Sequence, residues 1–263
     1  MVPIQILYRQ GSCAPDLSSL SRAGDVFTTV PPCPVHWPWG SIARMIMRYA
    51  PPPHTGLDIC YLDNDLIVLN KPSGLLSVPG RGEGKQDCLA SRVQREFPET
   101  LVVHRLDLGT SGLVLMARNR EMQGRLGHLF QRRLVRKRYV AVVAGRPQPQ
   151  EGEIDLPLIA DWPNRPRQRV DHQAGKQAIT RFQVLTEDGA AGTSRVRLLP
   201  QTGRTHQLRV HMMSIGHPIV GDELYAGDYW HAASERLLLH AERLSLQHPR
   251  TGRELQIERA ADF

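Results

Sequence analysis

The amino-acid sequence predicts an α+β fold, a mostly antiparallel, mixed β-sheet core flanked by helices and loops. Three features point that way. Short apolar runs outnumber segments with helical spacing. Many of these runs adjoin one another across short polar turns. Helical stretches do not alternate regularly with the strands, as a doubly wound parallel sheet would require.

The elements follow in order. Residues 59–62 and 66–69, joined by Asp63-Asn64-Asp65, read as a hairpin, which Lys71-Pro72-Ser73-Gly74 ends in a turn. Asp87 is placed to cap a helix with Leu89, Ala90, Val93 and Phe97 on one face. Residues 101–103 and 113–116 read as strands on either side of a polar, glycine-bounded turn. Asn119 is placed to cap a second helix with Met122, Leu126, Leu129 and Phe130 inward, although Gly124 and Gly127 weaken it. Further strands are expected over 139–143, 180–185, 194–199, 237–239, 244–246 and 255–257. Residues 207–215 are expected to be helical and to stop at Gly216 and Pro218. Residues 1–54 carry Pro31, Pro32, Pro34, Pro38 and Pro51 to Pro53 with little periodicity. They are expected to be a poorly ordered extension, leaving 55–263 as one folded domain.

Composition narrows the function. The chain has 263 residues, 41% of them hydrophobic, so a sizeable core can form. No apolar run approaches the roughly 20 residues that span a bilayer. The N-terminus lacks a basic region followed by a long apolar stretch, so no secretory signal and no membrane partner are expected. Cys13, Cys33, Cys60 and Cys88 form no C-x-x-C pair and no disulfide framework, which suits a reducing cytoplasm. The net charge of +7 favours a polyanion. Arg125, Arg132, Arg133, Arg136, Lys137, Arg138 and Arg146 follow one another with no intervening acid. Arg165, Arg167, Arg169, Lys176 and Arg181 form a second cluster, opposed by Asp161 and Asp171. Residues 162–169 read as a loop from which Arg165 and Arg167 would grip phosphates, so binding should weaken steeply with salt. A nucleic acid is the expected partner.

Several chemistries lack their residues. The glycines of 80–85 have the wrong spacing for a phosphate loop, and Gln86 stands where Ser or Thr is required. His206 and His211 are five apart, no His/Cys ligand pattern occurs, and no G-x-S-x-G elbow is present. No metal or cofactor is expected. The remaining candidate is Asp107, in Val103-His104-Arg105-Leu106-Asp107-Leu108-Gly109-Thr110-Ser111-Gly112. It would stand at the lip of a sheet as nucleophile or base. Equally, an Asp there can simply satisfy turn amides. Arg209, on the helix expected over 207–215, could form a bidentate pair that holds the carboxylate ionised. It could also be an ordinary helix arginine reaching solvent.

Motif order goes further. His104-Arg105-Leu106-Asp107 and Gly203-Arg204-Thr205-His206-Gln207-Leu208-Arg209-Val210-His211, with Asn70-Lys71-Pro72-Ser73-Gly74 and Lys137-Arg138-Tyr139, closely resemble the ribosomal large subunit pseudouridine synthase A family. The resemblance runs from about residue 57 to the end, and residues 1–54 are too short and proline-rich for the S4-type RNA-binding domain of larger relatives. It implies the pseudouridine synthase fold, no cofactor, no obligate protein partner and a monomer acting on a uridine in 23S rRNA, the tRNA anticodon loop, or both. It makes Asp107 the catalytic aspartate. Tyr139 becomes the tyrosine that stacks on the base and is the proposed base for the C5 proton, and Arg209 the arginine paired with the aspartate. Arg105 would fill the gap left by the flipped uridine, Leu208 would pack in the pocket, and Lys71 and Pro72 would be structural. The rivals are a non-catalytic RNA-binding module, which needs no such triad, and an aspartate-based glycosidase or nuclease. A glycosidase would want a second positioned carboxylate.

Overall fold

A computed structural model describes residues 49–263, and the expectation for residues 1–48 lies outside the described residues. Tyr49 and Pro52, ahead of residue 55, bond to the body that follows. The Tyr49 hydroxyl donates to the Asp87 carbonyl at 2.8 Å, and the Pro52 carbonyl accepts Arg92 Nη2 at 2.6 Å.

The first hairpin is as expected: β1 (Ile59–Leu62) pairs antiparallel with β2 (Leu66–Lys71). Helix α1 (Leu89–Glu96) follows. Its cap corrects the expectation, because Cys88 rather than Asp87 takes the N-cap position and accepts the Ser91 N–H through sulfur. Asp87 is instead drawn to Arg92, whose Nε and Nη2 both donate to its carboxylate at 2.8 Å, because that buried guanidinium needs a counter-charge more than the helix needs a cap. Strand β3 (Leu101–Val102) is short and pairs with β4 (Ser111–Ala117). Helix α2 (Arg120–Gln131) is capped by Asn119, whose Oδ1 accepts the Met122 N–H at 2.8 Å.

The rest of the chain is mainly strand. β5 (Arg136–Ala144), β6 (Glu151–Asp155), β9 (Ile179–Asp188) and β10 (Thr193–Pro200) extend the sheet. The expected loop at 162–169 is more ordered than its composition suggests. It is a 3-10 turn at Trp162–Asn164 inside a small hairpin of β7 (Leu158–Ala160) and β8 (Gln168–Val170). Helices α3 (Gln207–Ser214) and α4 (Gly227–Ala232) precede the last two strands. The two short strands expected at 237–239 and 244–246 are one strand, β11 (Leu239–Gln247), irregular in register between Ala241 and Arg243. Its pairing with β12 (Glu254–Glu258) completes the sheet.

The strand order is β1-β2-β4-β11-β5-β10-β9-β6, with β3 beside β4 and β12 beside β11. One neighbouring pair, β4 with β11, is parallel, at Ser111↔His240 and Gly112↔Ala241. That seam joins the two halves of the sheet. Gly112 is required there: its φ is +109°, and a Cβ would lie 2.5 Å from the Ala241 amide nitrogen. The continuous apolar runs of β2 and β4 are explained by burial on both faces. Leu66, Val68, Leu113 and Leu115 pack on Met122 and Leu126 of α2, while Ile67, Leu69, Val114 and Met116 pack on Leu89 and Val93 of α1. In the other half, Ala141, Val143, Val196 and Leu198 pack on Leu208 and Met212 of α3.

Candidate active site

Asp107 lies on the loop that feeds β4 at the seam, its side chain 20% exposed. The preceding turn holds that loop from below. Ser77 Oγ donates to the Leu106 carbonyl at 2.8 Å and accepts the Leu106 N–H at 3.0 Å. The Gly74 N–H reaches the Leu108 carbonyl at 3.0 Å, and Ser73 Oγ donates to the Gly109 carbonyl at 2.7 Å. Lys71 is fully buried and donates to the carbonyls of Pro72, Leu75 and Leu108. Burial pulls its ammonium down to about 7, against the upward pull of Asp107. The backbone on both sides of Asp107 is thus fixed by 71–77, and Leu106 is locked into the core.

Tyr139 of β5 reaches the same pocket, which Arg105, Asp107, Leu208 and Arg209 also line. Burial first, then the Asp107 charge, pushes the Tyr139 phenol above its ordinary range, so the ring enters neutral. Arg105 is exposed at the pocket's edge, and Leu208 is buried in its wall. The expected residues Arg105, Asp107, Tyr139, Leu208 and Arg209 therefore converge. Arg165 and Arg167 do not line the pocket; they stand on the β7–β8 hairpin.

Arg209 corrects the expected pairing. Its bidentate partner is Asp222, with Nε to Oδ2 and Nη2 to Oδ1 both at 2.7 Å. Its free Nη1 faces Asp107 Oδ2 at 3.8 Å. Both members of the closer pair are buried, and Asp222 further accepts the Leu224 and Tyr225 N–H groups. Asp222 outcompetes Asp107 because it is the drier carboxylate and its Asx turn already aims it. The carboxylates on either side raise the Arg209 pKa, although burial, the largest influence, opposes them.

The rest of the 203–211 motif now has an assignment. Gln207 accepts from Thr202 Oγ1 and the Arg204 N–H and donates to Ile179 O and Thr180 Oγ1, a fully satisfied buried amide. One turn on, His211 bonds Thr180 Oγ1 and the Leu156 carbonyl. These two clamp α3 to the sheet, which leaves Arg209 on the face toward Asp107. His206, just ahead of α3, has φ +53° and places Nε2 4.0 Å from Asp107 Oδ1. Its Nδ1 is 2.8 Å from the Tyr225 hydroxyl, which also accepts the Gln168 N–H at 2.8 Å. The Tyr225 hydroxyl thus links His206 to the backbone of β8. Burial lowers the His206 pKa, so the ring is neutral.

Sequence reasoning gave no role to His206, Asp222 or Tyr225. Gly221-Asp222 is legible as a turn; that its carboxylate grips Arg209 is not.

The pocket therefore offers one accessible carboxylate, a neutral aromatic ring, a braced guanidinium and a neutral imidazole. Residues 65–214 match the family model described as RNA pseudouridylate synthase. This chain belongs to that family. As an RNA pseudouridylate synthase it is 49% identical over 216 residues to the dual-specificity RNA pseudouridine synthase RluA of Escherichia coli (strain K12), covering 82% of this chain and 98% of that one. It is 52% identical over 210 residues to the protein of the same name from Vibrio parahaemolyticus serotype O3:K6, covering 78% and 84%. Among solved structures, human RNA pseudouridylate synthase domain containing 1 superposes with a TM-score of 0.68 at 30% identity, covering 81% of this chain and 87% of that one. The synthase described here is an enzyme that isomerises uridine in RNA. No helix among the described residues is long and apolar enough to cross a membrane.

Proposed function

We propose that this synthase acts as a cytoplasmic monomer on uridines held in RNA stem–loops, in 23S rRNA and the tRNA anticodon loop, with Asp107 as the reacting carboxylate. The observation that carries this is the convergence of Asp107, Tyr139, Arg209 and Arg105 on one open pocket. The name of these relatives, with its dual specificity, supports two RNA targets for this chain as well. The reaction breaks N1–C1′, turns the uracil and joins C5 to C1′, with the C5 proton leaving and N1 gaining one. No net oxidation occurs. The uridine must first leave the stack, at roughly a few kcal/mol in a duplex and less in a loop.

Each side chain has a place in that sequence. Asp107, its side chain 20% exposed, meets the everted nucleoside, and Arg209 keeps it aimed. Arg105, exposed and bonded to no other described side chain, is free to enter the vacated stack. Tyr139, held neutral, stacks on the uracil. It can serve as base for the C5 proton only if it passes its own proton on, so stacking is the part its electrostatics favour. Arg165 and Arg167 contact backbone phosphates outside the pocket. Folding of 55–263 as one catalytic unit is part of the same reading.

Asp107→Asn tests the assignment: it should bind stem–loop RNA with near-normal affinity and form no pseudouridine by carbodiimide mapping. Turnover near the wild-type rate would remove Asp107 from the mechanism. Pseudouridine maps of rRNA and tRNA from cells with and without the gene test the choice of targets.

A further inference from the structure

Trp162 is an anomaly in this fold. It is 66% exposed and belongs to none of the apolar clusters among the described residues. A large apolar ring so placed contributes little to folding. Yet the turn beneath it is closely braced. The Asp161 N–H bonds the Arg167 carbonyl at 2.9 Å, the Asn164 N–H bonds the Asp161 carbonyl at 3.0 Å, and the Arg167 N–H bonds the Asn164 carbonyl at 3.0 Å. Asn164 Nδ2 adds a bond to Asp161 Oδ2. The guanidinium of Arg165 lies over the indole. The ring is therefore held in place without being buried, the arrangement expected of a contact whose ordering entropy is already spent.

Its surroundings indicate the ligand. Between Asp161 and Asp171 the hairpin carries Arg165, Arg167 and Arg169 and no acid; only Arg169 has a carboxylate partner, Asp171. The hairpin is also tied to the catalytic pocket. The Gln168 N–H bonds the Tyr225 hydroxyl, and the guanidiniums of Arg167 and Arg209 both approach the Tyr225 ring, at 5.4 Å and 5.1 Å. Trp162 thus stands on a basic arm one aromatic ring removed from the arginine that faces Asp107. When a uridine is everted, its loop neighbours lose their stacking partners, and aromatic rings beside a basic track replace them.

We propose that Trp162, backed by Arg165, is a stacking platform for an unpaired nucleobase of the RNA loop, other than the uridine that reacts. This rests on the stem–loop reading above and adds a second base-binding position to it. The indole takes the base by its π-face, so it selects an unpaired base rather than a particular one. The arginines beside it hold the flanking phosphates.

Equilibrium binding of the full-length protein tests it, using a substrate stem–loop and a series in which each loop nucleotide in turn is abasic. Trp162→Ala should weaken binding to the intact loop about tenfold, and Trp162→Phe should retain most of the affinity. At one loop position other than the target uridine, the abasic change and Trp162→Ala should not add, because each removes the same contact. Two results overturn the proposal: affinity of Trp162→Ala within about twofold of wild type, or a loss of equal size on every abasic RNA. The second result would make the indole a support for the arm. Tight Trp162→Ala binding to RNA, together with lost capture of a protein, would assign it to a protein contact instead. In each of these cases, wild-type binding and Asp107-dependent turnover still report separately on the stem–loop reading.

Discussion

At the scale of single residues, the aim of Arg209 toward Asp107 rests on a third side chain, the buried carboxylate of Asp222. Asp222 holds two of the Arg209 nitrogens, so the third can only face Asp107. Without that anchor, a buried guanidinium would swing to whichever carboxylate it could reach and close on Asp107, blocking it. Asp222→Asn keeps the shape and most of the amide contacts but removes the charge. Breaking one side of a buried pair typically costs about 3–5 kcal/mol, so the urea midpoint should drop by a corresponding amount. Single-turnover pseudouridine formation should slow at least about tenfold, with RNA affinity changed far less. A variant that is destabilised yet turns over normally would mean that Asp222 serves the fold alone. The Arg209–Asp107 ion pair is present at 3.8 Å, but the bidentate contact expected of it goes to Asp222. An arginine at this helix position was legible; its partner was not, because a bidentate contact is decided by burial and by loop aim.

Among the elements, the 71–77 turn and the parallel seam carry the most. The lysine, serine and glycine of the Asn70-Lys71-Pro72-Ser73-Gly74 motif, with Ser77, fix the backbone carbonyls on both sides of Asp107. The seam brings β11 against β4 just after the loop that bears Asp107, and Gly112 lets the two backbones meet. Gly112→Ala would set a methyl group against the Ala241 backbone at a φ that L-residues avoid. We expect a loss of roughly 3 kcal/mol or more in unfolding free energy and reduced catalysis, since the loop bearing Asp107 must shift with the strand. Unfolding and turnover should fall together; a normal unfolding midpoint would show the seam to be adaptable. The strand runs themselves were readable in advance because burial on both faces leaves an unbroken apolar signal. The β7–β8 hairpin was not, since each strand is only three residues long and the segment between them carries prolines and arginines.

Over the whole molecule, buried neutral histidines set the response to acid. Burial lowers the pKa of His104 to about 3 and also lowers those of His206, His211 and His240. In the unfolded chain each takes a proton near its ordinary value of about 6.5. Below that pH the unfolded state binds more protons than the fold, so stability falls as pH falls through this window. The urea midpoint should therefore decline between about pH 7 and pH 5, before carboxylates titrate near 4. A flat midpoint over that interval would mean that the histidines charge freely in place.

What the sequence by itself determined is local. Apolar spacing placed most strands, Asn119 marked a helix start, and the order of four motifs named the family and pointed to Asp107, Tyr139 and Arg209. The tertiary structure alone decided which groups face one another: Asp222 on Arg209, the Tyr225 hydroxyl on His206, and Trp162 on a braced arm beside the pocket. The reason is physical. Periodicity and capping are properties of near neighbours, written in a few consecutive residues. A contact between loops depends on strand order, on the parallel seam that brings β4 to β11, and on which carboxylate ends up driest.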